Sequence, residues 1–177
     1  GLNPQDPLFV DNTAPRGAPG TMIHGLAHIG AQIGGKAATY EYDEMADVIV
    51  EQTNRFLTKH KDAPFFLYVA THDIHVPRIP HERFRGTSDA GARGDAAVSF
   101  DWTVGEIVKT LKENDLFDNT LIILTSDNGA ALAGWVEGAD ANNGHPVNGP
   151  LRGHKGQSHE GGVRVPFITS WPGQIEP

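Results

Sequence analysis

The sequence predicts an α/β fold: a layered unit in which helices flank a largely parallel sheet, with the domain incomplete. Two observations predict it. A helical pattern followed, after a short break, by an apolar run of strand length occurs twice, at residues 42–59 then 65–70 and at residues 94–114 then 121–129. Each apolar run stops abruptly at polar side chains, the arrangement expected where strands of an open α/β sheet present ligands beyond their carboxyl ends.

Composition narrows the partners. With 177 residues, 38% of them hydrophobic, the chain suffices for one core, and residues 1–177 are expected to be a single partial domain, irregular over 1–40 and an αβαβ core over 41–177. It opens Gly1-Leu2-Asn3 without Met, which suggests a piece of something longer. A net charge of −8 argues against nucleic acid, and no apolar run approaches the ~20 residues that span a bilayer. A small anion is still compatible, because a local cluster of Lys, Arg and His can make a positive pocket in an acidic protein. The absence of cysteine removes disulfides, thiolate metal sites and cysteine nucleophiles together.

Residues 1–40 are rich in Gly, Pro and Asn, with Asn3-Pro4, Asp6-Pro7 and Pro19-Gly20 as breakers; His24 and His28 stand there at a helical spacing. Over 42–59, Met45, Ile49 and Phe56 share a face with help from Val48 and Leu57. Asp43 and Glu44 occupy the first turn and Lys59 the last, as the helix dipole favours. The apolar run 65–70 then leads into Thr71-His-Asp-Ile-His75, where the extended backbone imposed before Pro77 restricts the direction of the segment carrying His75. On the helix 94–114, Ala97, Asp101, Val104, Val108 and Leu111 fall on one face, and Asp101 is expected to accept hydrogen bonds from a nearby loop.

The run Leu121-Ile-Ile-Leu-Thr-Ser-Asp-Asn-Gly129 delivers two oxygen-bearing side chains, Asp127 and Asn128, to a strand end. Both offer hard oxygens suited to Ca²⁺, with Mg²⁺ second, whereas a zinc site would want His beside the Asp. Asn-Gly is also a common turn dipeptide. Residues 130–149 are expected to form a mobile loop over the strand ends. The glycine-rich stretch carrying Arg152, His154 and Lys155 permits close approach to an anion, and residues 167–171 are strand-like. A hard cation, an imidazole and a lysine together would stabilise a tetrahedral oxyanion ester and its departing oxygen.

Three segments carry a family resemblance: Pro64-Phe-Phe-Leu-Tyr-Val-Ala-Thr-His-Asp-Ile-His-Val-Pro77, Thr120-Leu-Ile-Ile-Leu-Thr-Ser-Asp-Asn-Gly129, and Leu151-Arg-Gly-His-Lys-Gly-Gln-Ser-His-Glu-Gly-Gly-Val-Arg-Val-Pro166 with Trp171-Pro-Gly173. In order and spacing the chain resembles the later part of an arylsulfatase-type sulfatase catalytic domain, of the alkaline-phosphatase-like layered fold. The resemblance implies Asp127 and Asn128 as calcium ligands, Lys155 at the sulfate and leaving oxygen, and His75 at the sulfate as donor to the departing alcohol. His72, Arg78, Arg152 and His154 become pocket neighbours. It also implies a sulfated small molecule or carbohydrate as substrate, and a secreted or periplasmic enzyme. One departure is plain. The family's formylglycine arises from a Cys/Ser-x-Pro-x-Arg motif, for which Thr13-Ala-Pro-Arg16 is no substitute, so the nucleophile is expected upstream and these residues alone are expected to be inactive. Two alternatives stay open: a phosphatase or phosphonate monoester hydrolase of the same superfamily, and a non-catalytic anion- or glycan-binding relative.

Overall fold

A computed structural model describes residues 9–10, 34–35, 41–76, 78–132 and 142–176. Most of the predicted irregular segment, including His24, His28 and Thr13-Ala-Pro-Arg16, lies outside the described residues. So do residues 133–141 of the predicted mobile loop. The described elements are β1 (Phe9–Val10), β2 (Gly34–Gly35), α1 (Met45–His60), α2 (Gly91–Glu113), β3 (Ile122–Thr125), α3 (Glu160–Val163) and β4 (Phe167–Ser170).

A 3-10 turn, Tyr42–Glu44, leads into α1, whose acidic start and basic end match the helix dipole as the sequence suggested. The buried face is displaced from the predicted one: Ala46, Val50, Thr53 and Leu57 point inward, while Val48 is exposed. The same happens on α2, where Ala96, Ser99, Thr103, Thr110 and Leu111 are buried. Small side chains on both surfaces let the two helices approach closely, and hydropathy counting misses this because Ser and Thr score as polar. Thr103 satisfies its hydroxyl on the Ser99 carbonyl one turn back, 3.1 Å away.

The loop between the helices is fastened at several points. Arg83 reaches both carboxylate oxygens of Asp47 at 2.8 Å and lies over the rings of Phe84 and Trp102, 4.5 and 4.3 Å from their centroids. Buried Asp95 accepts the backbone N–H groups of Gly86, Thr87 and Ser88 at 2.8, 3.1 and 3.1 Å. Asp101, to which the sequence assigned that task, is exposed. At Gly94 a Cβ would collide with the Ser88 hydroxyl, so the turn seats directly on the first helical turns.

The sheet departs from expectation. Among the described residues both ladders are antiparallel: β1 with β2, and β3 with β4 in the register Ile122 to Ser170 and Thr125 to Phe167. The predicted strand at 65–70 forms no ladder, although its exposure alternates along the run. Phe65 packs edge-on to Phe56 of α1 at 6.0 Å, whereas Phe66 and Tyr68 are 90% and 80% exposed. With β3 alternating and β4 exposed throughout, the strands bury one side at most. A parallel sheet buried on both faces needs cover on each side, which these residues do not themselves supply.

Candidate functional site

The polypeptide beyond β3 and the glycine-rich loop before β4 are joined by main-chain hydrogen bonds. Lys155 N–H donates to the Ala130 carbonyl at 3.0 Å, and Gly129 N–H donates to the Gly162 carbonyl at 2.9 Å. The approach is so close that a Cβ at Gly129 would collide with the Gly161 carbonyl, one at Gly161 with the Gly153 carbonyl, and one at Gly162 with the Gln157 carbonyl. Glycine is therefore required at these three positions for the close contact itself. Asn148 completes the clamp, its Oδ1 accepting from Ala130 N at 3.2 Å while its Nδ2 donates to Gly153 O at 3.0 Å. Sequence reading passed over Asn148, which looks like any polar loop residue until its two partners are seen.

Asp127 and Lys155 are thus carried on segments bonded to one another. The Asp127 side chain is exposed and Lys155 is half-buried. Asn128 uses Nδ2 to hold the Gly129 carbonyl at 3.1 Å, and its Oδ1 accepts no hydrogen bond among the described residues. These are oxygen donors of the kind a hard cation takes, so the pair fits calcium in chemistry. It cannot complete the shell of six to eight oxygens alone, and among the described residues no three His, Asp or Glu side chains gather as a metal cluster.

His75 borders a shallow open cleft shared with His72, Asp73, Arg78, His81 and Ser99. Its N–H closes a tight turn onto the His72 carbonyl at 3.1 Å, and its Nδ1 lies 2.7 Å from the Val76 carbonyl. A carbonyl only accepts, so Nδ1 carries hydrogen and Nε2 is the nitrogen left for proton exchange. Between the two ends of this turn Ile74 has φ +75°, the left-handed region that a β-branched side chain resists at a cost on the order of 1–3 kcal/mol. Asp73 Oδ1 accepts from Ser99 Oγ of α2 at 3.1 Å, and its buried Oδ2 has no hydrogen-bond partner among the described residues. Burial raises the Asp73 carboxyl above its ordinary range, against the lowering effect of the Ser99 hydroxyl and a backbone N–H.

Among the described residues His75 makes no hydrogen bond to the Asp127 or Lys155 segments. Helix α2 connects the two groups: Arg93 Nη1 donates to Ala131 O at 2.6 Å, and Ser99 holds Asp73 six positions on, a rise of roughly 9 Å along the axis. His72 and Arg78 line the His75 cleft, His154 Nδ1 lies 2.9 Å from the Lys155 carbonyl, and the exposed Arg152 accepts Gly161 N–H on its carbonyl at 2.8 Å.

Oxygen donors at a strand end are thus clamped to a lysine-bearing glycine loop. The chain belongs to the Sulfatase family, whose model matches residues 7–177. It is 43% identical over 175 residues to an N-acetylgalactosamine-6-O-sulfatase of Bacteroides thetaiotaomicron, spanning 98% of this chain and 34% of that protein. It is 36% identical over 137 residues to a steryl-sulfatase of Rattus norvegicus, spanning 77% of this chain and 23% of that one. Among solved structures, it superposes with a TM-score of 0.75 at 44% identity on a Bacteroides thetaiotaomicron sulfatase described in the metabolism of multiple glycosaminoglycans, over 81% of this chain and 30% of the other. The chain spans about a third or less of the length of these relatives. No helix among the described residues is long and apolar enough to cross a membrane.

Proposed function

We propose that these residues form the later part of the active site of a calcium-dependent formylglycine sulfatase that hydrolyses sulfate esters of carbohydrates outside the cytoplasm. The observation carrying the proposal is the docking of the Lys155 loop on the strand end that bears Asp127 and Asn128. The carbohydrate assignment is supported by the relatives described for N-acetylgalactosamine-6-O-sulfate and glycosaminoglycans. Asp127 and Asn128 would hold the calcium, which when bound screens charge on the sulfate. Formylglycine, which these residues do not contain, would supply the hydrated aldehyde that attacks sulfur.

The chain's own groups do the rest. Lys155 stands on a loop whose backbone is held by hydrogen bonds, so its ammonium offsets charge on the sulfate and on the oxygen that leaves. His75, with hydrogen on Nδ1 directed at the Val76 carbonyl, would as the imidazolium give its Nε2 hydrogen to the departing oxygen and be left as the neutral Nδ1–H ring. Gly129, Gly161 and Gly162 leave no side chains where the two segments meet.

The full-length protein is to be assayed with 4-methylumbelliferyl sulfate, 4-methylumbelliferyl phosphate and N-acetylgalactosamine 6-sulfate. Sulfate hydrolysis well ahead of phosphate is expected, with no turnover by residues 1–177 alone. Preference for phosphate would overturn the reaction assigned, and turnover by the 177 residues would overturn the need for an outside nucleophile.

A further inference from the structure

The turn that carries His75 has the wrong residue for its shape. The His75 N–H to His72 carbonyl bond makes Asp73 and Ile74 the central pair, and of these two only Ile74 has positive φ. That is the backbone pattern of a type II turn, whose third position takes Gly or Asn without strain. Ile there gains no compensating burial of its own, being 43% exposed. Something else must hold it. The adjoining residue, Asp73, is bonded through Oδ1 to Ser99, and Ser99 is 1% exposed in the middle of α2.

We infer that Asp73 and Ser99 are positioning residues: their hydrogen bond to one another holds the His72–His75 turn against the strain at Ile74, and thereby fixes where the His75 ring points. The inference rests on the role proposed for His75. Strain at one end and a buried anchor at the other make the turn bistable. With the Ser99 bond in place Ile74 stays in the left-handed region; without it Ile74 relaxes to negative φ, the plane of the following peptide rotates, and the imidazole swings away. Fixed aim matters because a proton donor displaced by an ångström loses much of its effect.

The test is a double-mutant cycle in the full-length protein, with kcat and KM measured on 4-methylumbelliferyl sulfate and Tm followed by thermal melt. Ser99→Ala is expected to lower kcat at least tenfold with KM within twofold, and Asp73→Ala to do the same from the other side of the bond. Combining Ser99→Ala with Ile74→Gly is expected to restore most of the loss, since glycine adopts the turn without an anchor. Stability is expected to move the opposite way. Ser99→Ala lowers Tm less in the wild-type background, where strain at Ile74 is released along with the bond, than in the Ile74→Gly background, where there is none to release. Additive effects on both kcat and Tm would overturn the inference, because a Ser99 that only packs α2 has no reason to couple to position 74. A His75→Ala enzyme with unchanged kcat would instead sink the role of His75, and the Tm cycle would still decide whether the turn is under strain.

Discussion

Asp95→Ala is the perturbation whose size the structure sets most directly. The carboxylate accepts three backbone N–H groups in succession, from Gly86, Thr87 and Ser88, and its residue is 8% exposed. Hydrogen bonds to a charged acceptor contribute about 1.5–3 kcal/mol each, but donors that regain water recover most of that. Gly86 and Thr87 are exposed and can rehydrate, whereas Ser88 is half-buried and cannot do so fully. The net loss is therefore nearer one such bond plus part of the others, about 3 kcal/mol. For a chain of this size that corresponds to a fall in Tm of roughly 6–12 °C. Asp95→Asn keeps one acceptor oxygen and turns an N–H₂ towards one of the donors, so about half the loss is expected. Both variants can be read against wild type by scanning calorimetry. An Asp95→Ala melt within about 2 °C of wild type would refute the reasoning, since the three bonds would then be exchanging with water at no net cost.

Other expectations follow from the same geometry. In the full-length protein Lys155→Ala is expected to lower kcat by ~10²-fold or more with sulfate esters, measured by steady-state kinetics, because its charge acts on the transition state. Calcium is expected to raise the Tm of the wild-type protein, and to raise that of Asp127→Ala markedly less, a shift visible without any substrate. Asp73 gives a pH signature. Burial lifts its folded-state carboxyl above 3.8, so the unfolded chain releases this proton first, and stability falls as pH rises from about 3.8 through the folded value before levelling off. Asp73→Asn has no proton to release, so wild type should lose ground relative to it as pH rises through that window in urea melts, and a constant difference would contradict the burial argument.

Local sequence determined a good deal of this. Both helices were legible within a few residues, because periodicity and end charges act inside single turns, as at Asp43, Glu44 and Lys59. The strand end at Asp127-Asn128 was legible too, since an apolar run cut off by polar residues depends only on neighbours in the chain. Tertiary structure decided the rest. It chose the antiparallel partner of β3, left 65–70 outside any ladder, and selected small side chains such as Ser99 and Thr103 for the helix contact. It also gave Asp95 the anchoring task expected of Asp101, and made Asn148 and Arg93 the clamps on residues 130–131, across separations of 18 and 38 positions. Hydropathy records whether a side chain prefers water; which backbone carbonyl arrives beside it is fixed only when the whole chain has packed, and at this site the backbone carbonyls are most of the partners.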